Sequence, residues 1–472
     1  LLQSNRNIAA WTLLTILIGP WAASQEAEFS LSPTPVGSGA RAAGMADAFV
    51  AVADDATAAS WNPAGLVQLE KPEISLVGEY NGVVDILTAE GHSEFDSRHY
   101  SDTLGINFFS AAYPLPFLVL GRNICVSLSY QKKYEFTRAI NFNWKRSSKG
   151  YTDRLHMDFR QSGSLSAITP AIAFEITQRI SAGIAVNLWR STFLNENRWE
   201  QTTKQRSHSM FKGIPGFGYY RSKEYYEDFS GENVTLGVLW NPIDKWSIGL
   251  RYDSSFKGNV NYHVKDVTNQ IMFSTGTFPG VSNIIHGRKH EHRHVTFPAS
   301  FALGTAYRFN DRFMLSMDIT RTDWNRFYVS DGQGRKFSLV DFSNMGIPWK
   351  RTHFKPTYTV RLGGEYVFLP KEPQEIMDQL WSLRGGLFYD QEPATGKNNK
   401  RHARMQHGTG KPDSFFGATL GVGLLLKQRV NIDLAYQARF GLGVNRDFIR
   451  GVKGFKEDVY QHRLLLSTVI YF

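Results

Sequence analysis

Four histidines fall within nine residues, in the stretch HGRKHEHRH from His286 to His294. In an extended backbone alternate residues share a face, which sets His290, His292 and His294 side by side in a spacing a zinc site can use. Arg288, Lys289 and Arg293 in the same stretch oppose a cation. The expected role is a basic strand end that meets anions, with no metal and no cofactor. Three arginines, Arg251, Arg384 and Arg439, lie on the more polar face of alternating segments. A guanidinium grips a carboxylate through two parallel hydrogen bonds, so each is a candidate to hold an acidic ligand. The expected alternative is pairing with the chain's own Asp253, Asp390, Asp433, Asp54 or Asp55, because a polar interior normally neutralises itself.

The remaining groupings point away from catalysis. Asp54-Asp55 reads as a cap for a short helix over 56–60 rather than as a pair of catalytic acids. Asn62-Pro63-Ala64 reads as an N-cap followed by proline at the first helical position, with Gly65 ending the turn. The same triplet is a candidate hinge. No nucleophile elbow, phosphate loop or HExxH is present. The single cysteine, Cys125, rules out a disulfide framework and the usual Cys-based zinc sites. The chain is expected not to be an enzyme.

The elements that carry these residues are strands. Trp246, Ile248, Leu250 and Tyr252 alternate with Ser247, Gly249, Arg251 and Asp253; Val430, Ile432, Leu434 and Tyr436 alternate with Asn431, Asp433, Ala435 and Gln437. Fourteen such segments are expected: 73–83, 102–112, 123–136, 165–176, 180–193, 233–240, 246–264, 295–309, 313–329, 357–368, 381–391, 414–427, 430–440 and 461–472. Their polar set favours Ser, Gly, Asn, Asp and Arg, while the apolar set carries aromatics near strand ends. An apolar exterior with aromatic girdles around a polar interior is the pattern of a transmembrane β-barrel, in which bacterial examples have an even strand number. Short turns such as Gln428-Arg429 alternate with long connections at 195–232, 265–294, 330–355 and 392–413, as periplasmic turns and extracellular loops do. The last strand places Leu464, Leu466, Thr468, Ile470 and Phe472 on one face, the kind of ending that barrel assembly machinery engages. The long basic loops would then meet lipopolysaccharide and membrane lipid.

The net charge is +10, from 53 Lys and Arg against 43 Asp and Glu, but the basic residues are scattered or lie in loops such as Lys397–Lys411, so no nucleic-acid partner is expected. An apolar run from Trp11 to Ile18, followed by Gly19-Pro20 and Ala22-Ala23-Ser24, reads as a signal peptide over 1–24. Residues 25–72 then form a linker, with Pro33 and Pro35, and a compact Ala- and Gly-rich stretch; 73–472 form the barrel. No run of 18 apolar residues offers a membrane helix.

The compact stretch, GSGARAAGMADAFVAVADDATAASWNPAGL from Gly37 to Leu66, resembles the N-terminal plug of the FadL/TodX family of outer-membrane transporters for long-chain fatty acids and other hydrophobic compounds. Gly39-Ala40-Arg41, Gly44, Ala48-Phe49-Val50, Ala53-Asp54-Asp55 and Trp61-Asn62-Pro63-Ala64-Gly65 carry the resemblance. Phe297-Pro298-Ala299-Ser300, Trp324-Asn325-Arg326-Phe327, Arg361-Leu362-Gly363-Gly364-Glu365-Tyr366 and Leu383-Arg384-Gly385-Gly386 extend it. It implies an all-β, fourteen-stranded antiparallel barrel in a Gram-negative outer membrane. A small plug inside the lumen would close it, and passive diffusion would proceed past a shifted plug or through a lateral gap in the wall. Gly39, Phe49, Asp54, Asp55, Asn62, Pro63 and Ala64 are the expected plug or gate residues. Ala40, Met45, Phe49, Val50 and Val52 are expected to line the ligand path. A non-transporting barrel, as a surface adhesin or a secretion accessory, is the competing reading.

Overall fold

The computed structural model describes residues 37–211, 213–272, 281–337, 354–370, 378–394, 411–445 and 454–472. The expected signal peptide and the first part of the linker lie outside the described residues. Strand formation follows the period-two pattern: on the last strand Leu464, Leu466 and Ile470 are exposed while Arg463, Leu465, Ser467 and Val469 are buried.

Fourteen strands close into a ring, each antiparallel to both neighbours. They are β1 (Glu73–Thr88), β2 (Ser97–Pro114), β3 (Ile124–Glu135), the lower part of β5 (Tyr151–Thr177), β6 (Ile180–Trp189), the lower part of β8 (Ile214–Ile243), and β9 (Trp246–Asp253). The ring continues through β12 (Ser300–Asn310), β13 (Phe313–Thr322), β16 (Thr357–Val367), β17 (Gln379–Glu392), β18 (Asp413–Leu426), β19 (Val430–Val444) and β20 (Lys456–Tyr471). β20 pairs back on β1 from Tyr471↔Glu73 to Lys456↔Thr88. Closure lets neighbouring staves satisfy one another's backbone groups around the ring, save at the seam described below. The exterior is apolar: Leu76, Leu128, Leu250, Leu303, Leu420 and Leu466 are all exposed. Trp240, Trp246, Tyr307, Phe309, Trp381 and Phe472 gather near the short-turn end. Such an exterior requires lipid rather than water.

Each of the fourteen expected segments corresponds to one stave, but four are overextended; 180–193 runs four residues past Trp189, where β6 ends. The segment 246–264 is two strands, β9 and β10 (Phe256–Met272), parted at Ser254-Ser255. Pro298-Ala299 separates β11 (Val281–Phe297) from β12, and a 3-10 turn at Trp324–Arg326 ends the strand expected over 313–329. Two expected loops are also corrected. Residues 195–232 hold β7 (Arg198–Phe211) and the upper part of β8, and 265–294 hold the end of β10 and most of β11. With β4 (Arg138–Ser148), the upper part of β5, β14 (Tyr328–Ser330) and β15 (Lys336–Phe337), they build a second sheet above the ring. These strands carry no lipid-facing apolar set because they stand clear of the lipid band, which is why their sequence reads as loop. The expected loops at 330–355 and 392–413 fall largely outside the described residues.

Among the described residues the widest gap in the ring is a seam between β2 and β3. β2 pairs with β3 only from Phe108↔Gln131 to Pro114↔Cys125, although it pairs with β1 over nearly its full length. A bulge sits at each side of the parting point: Asn107 is skipped in the β1–β2 register, and Lys133 in the β3–β5 register. Bulges bend a strand and end its pairing. Above them the free edge of β2 carries Gly105 and the exposed Leu104 and Ile106.

Candidate functional site

The candidate site is the meeting of the N-terminal segment, 37–69, with the buried polar face of the wall. The segment holds a short helix α1 (Ala40–Gly44), a second, α2 (Ala58–Trp61), and a 3-10 helix (Pro63–Gln68). Elements this short do not stand alone in water, so their conformation depends on what they pack against. Phe49, fully buried, meets Trp61 edge-on with ring centroids 6.2 Å apart, and the Arg41 guanidinium lies 5.4 Å above the Phe49 ring. Trp61 donates its indole N–H to the Ser38 carbonyl at 3.0 Å.

Wall side chains satisfy the segment's backbone. One carboxylate oxygen of Asp318 accepts from the amides of both Phe49 and Val50 at 2.8 Å. The Thr419 hydroxyl accepts from the Ala46 amide and donates to the Gly44 carbonyl, at 3.1 and 2.8 Å. Ser316, Ser110 and Ser181 donate to the carbonyls of Ala48, Ala56 and Ala64, and Ser467 accepts from the Ala40 amide. These partners come from staves on all sides of the ring.

The close approach is made possible by glycines. A Cβ at Gly249 would stand 2.2 Å from the Val50 carbonyl oxygen, one at Gly363 2.2 Å from that of Met45, and one at Gly183 2.4 Å from Pro63. Gly237, Gly304 and Gly386 would meet the segment at under 3.0 Å. These wall positions exclude a side chain because another backbone already occupies the space.

Asn62 and Pro63 sit as the sequence indicates: Asn62 caps the 3-10 helix by accepting from the Ala64 amide at 3.2 Å, with proline at its start. The Asn62 amide also donates to the Val50 carbonyl at 2.9 Å and to the wall carbonyl of Val238 at 3.1 Å. Gly65 does not end this helix, which runs on to Gln68; its role is contact, since a Cβ there would lie 2.0 Å from the Ala53 carbonyl oxygen. The expected helix over 56–60 is α2, beginning two residues later with Thr57 as its N-cap and no side-chain cap bond. Asp55 instead accepts from the amide and hydroxyl of Thr57, and Asp54 pairs with Arg41. Burial pushes the Asp55 carboxyl above the usual carboxylate range, against the pull of Arg41, with the neighbouring Asp54 charge adding to the rise. Gly39, at φ 86°, begins α1 in a conformation that favours glycine. Ala40, Met45, Val50 and Val52 are all buried, Ala40, Met45 and Val52 within apolar clusters.

The three arginines are paired with the chain's own carboxylates. Arg251 binds Asp253 at 2.9 Å and also donates to the Ser60 and Trp61 carbonyls. Arg384 bridges Glu365 and Asp433 at 2.7 and 2.6 Å, and Glu365 in turn holds Arg41 at 2.9 Å. Arg439 joins Asp390 and Glu392 and lies 3.7 Å over the Phe415 ring. One chain of ions thus runs from Asp54 through Arg41, Glu365 and Arg384 to Asp433, tying the segment to three staves.

Sequence reasoning missed an aromatic cluster at the upper rim. Tyr134, Trp189, Trp199, Tyr226, Phe229 and Phe297 are buried against one another. Trp199 stacks on Tyr226 at 4.4 Å, and Phe256 on Phe297 at 5.0 Å. The available signal was Trp199 and Tyr226, aromatics set among polar residues inside the supposed loop 195–232. On β11 His286, His290 and His292 are exposed and His294 is half-buried, and no group of three metal-ligating side chains occurs among the described residues.

The fold has solved counterparts. A FadL homologue of Pseudomonas aeruginosa superposes with a TM-score of 0.58 at 17% identity, covering 94% of this chain and 99% of that one. The P. putida toluene transporter TodX gives 0.55 at 13%, covering 92% and 99%. The Ralstonia pickettii toluene transporter TbuX gives 0.50 at 14%, covering 92% and 98%. No curated protein matches the chain in sequence. The profile of the family described as outer membrane protein transport protein (OMPP1/FadL/TodX) matches residues 23–445. The chain therefore belongs to that family, as a fourteen-stranded β-barrel of the Gram-negative outer membrane that serves as a channel and not as an enzyme.

Proposed function

We propose that this barrel carries small hydrophobic molecules, long-chain fatty acids or aromatic hydrocarbons, by passive diffusion, with segment 37–69 as a plug within its lumen. The observation that carries the reading is the seating of that segment by Asp318, Thr419, Arg384 and the glycine positions on the polar face of a ring otherwise wide enough to leak. The aromatic cluster at the upper rim supplies an apolar surface on which a hydrophobic ligand leaves water. The seam between β2 and β3 supplies an exit into the bilayer, because the free β2 edge begins beside exposed Leu104 and Ile106. The relatives named above as toluene transporters fit the same ligand chemistry. The paired state of Arg251, Arg384 and Arg439 favours an apolar cargo over one gripped by its carboxylate.

The test is uptake by a Gram-negative strain lacking its own hydrophobic-compound channel. Expression of this chain is expected to raise uptake of radiolabelled oleate or toluene above the empty vector. Equal uptake with a correctly folded barrel in the membrane would overturn the reading.

A further inference from the structure

The second sheet above the ring has two unlike faces. One is buried and holds Trp199, Tyr226, Tyr262 and their neighbours. The other is exposed, and cross-strand register shows what it carries, since directly paired residues share a face. Arg154 pairs with Lys145 on one side and His208 on the other. In the next row, His156 pairs with Arg206. Below it Lys204 pairs with Arg221, and Val267 carries the row on to His286. A fourth row runs from Arg160 through Thr202 to Lys223, Lys265 and Arg288. Then come His263 and His290, whose rings meet. Within these rows the acids are Asp158, which binds Arg160 and approaches Lys204, and Glu200. Arg154, Arg206, Lys265 and Arg288 are exposed and carry no ion pair among the described residues.

Like charges side by side on a sheet repel, so an array of this kind is poorly explained as a solvated surface. It spans β4 to β11, five inter-strand spacings or about 24 Å. Its direction is as informative as its charge. On β5 the even-numbered residues are exposed both on the ring, at Ile172 and Phe174, and above it, at Arg154, His156 and Arg160. On β8 the more exposed set changes from even (Leu236 and Val238, exposed) to odd (Arg221 and Lys223, half-buried between buried Ser222 and Glu224) across the bulge residue Asp228, whose φ is 56°. The basic face therefore continues the lipid-facing side of the wall into the zone just outside the apolar band.

The geometry points to a docking surface for the phosphorylated saccharide headgroups of the glycolipid that forms the surrounding outer leaflet. Only that polyanion stands directly against an outward face at this height, and arginine forks match phosphate oxygens. The role is independent of what the channel carries. Bound headgroups would fix the barrel's depth and hold the second sheet, and with it the aromatic cluster on its other face, upright above the membrane.

The experiment uses the full chain purified in nanodiscs, with binding of lipopolysaccharide followed by native mass spectrometry and by fluorescence titration. The variant carries Arg154→Glu, Arg206→Glu, Lys265→Glu and Arg288→Glu. The control carries Arg179→Glu, Lys245→Glu, Arg312→Glu and Lys427→Glu at the opposite rim. Heat-modifiable electrophoretic mobility checks folding. The expected result is a loss of at least ~10-fold in affinity for the variant, with the control within about twofold, as polyanion contacts are lost. Lipopolysaccharide stripped of phosphate is expected to bind the native chain as weakly as the intact glycolipid binds the variant. Equal binding of intact and dephosphorylated glycolipid by the native chain would overturn the proposal even if the variant failed to fold. Tighter binding of a short DNA duplex than of lipopolysaccharide would overturn it too, as would full retention of binding by the folded variant.

Discussion

Asn62 illustrates how one side chain joins the segment to the wall. Its amide donates to two carbonyls, Val50 within the segment and Val238 on β8, while its oxygen caps the 3-10 helix. Asn62→Ala leaves both carbonyls without that donor, a loss of roughly 1–3 kcal/mol. The barrel is expected to assemble normally while the segment becomes more susceptible to protease and hydrophobic uptake falls; unchanged uptake and protection would refute a gating role. Arg384 tests the ion chain. It is 4% exposed and neutralises Glu365 and Asp433 together. Arg384→Met leaves buried carboxylates uncompensated, at a cost of about 3–5 kcal/mol. Urea unfolding in vesicles should show that loss, and Asp433→Asn placed on the same background should recover part of it.

At the scale of elements, two features of the wall act through its backbone. Where glycine faces the segment, any side chain displaces it. Gly249→Val puts a side chain where the Val50 carbonyl now lies. The stave itself tolerates valine well, so the expected result is a folded barrel with a dislodged segment, read as faster entry of sucrose into proteoliposomes. The seam depends on bulges rather than on composition. Deleting Asn107 removes the extra residue that breaks the β1–β2 register, which lets β2 and β3 pair further. Hydrophobic uptake should drop sharply in that variant although the segment stays seated. An uptake rate equal to the native chain's would place the exit elsewhere.

The whole molecule is a closed wall with an interior that needs filling. Apart from the seam, its fourteen staves pair with one another around the whole ring, so it does not depend on segment 37–69 to form. Removing that segment is expected to give a folded, heat-modifiable barrel with large, persistent conductance in planar bilayers, where the native chain gives little. A deletion that abolished barrel formation would instead make the segment part of the fold.

Much of this architecture is legible in the chain itself. Period-two alternation identifies all fourteen staves, because a lipid-facing set on every second residue imposes it wherever a strand crosses the bilayer. The compact run of small residues from Gly37 to Leu66 marks a stretch between the linker and the first stave that cannot itself be a stave. The pairing of Asn62 and Pro63 at a helix start is equally local, since capping involves residues two or three apart. Other features exist only in three dimensions. Strand β7, the second half of β10 and most of β11 read as loops, since outside the lipid nothing forces an apolar alternation; only pairing with β5, β8 and one another reveals them. Whether Arg384 meets a ligand or Asp433 is a matter of register between staves nearly fifty residues apart. Gly249 and Gly363 look like ordinary strand glycines until another backbone is found against them. The sequence by itself determined the barrel and its stave count, through a periodicity that physics applies residue by residue. The tertiary structure alone decided the seam, the seat and the basic face, because each arises where segments distant in the chain are brought into contact.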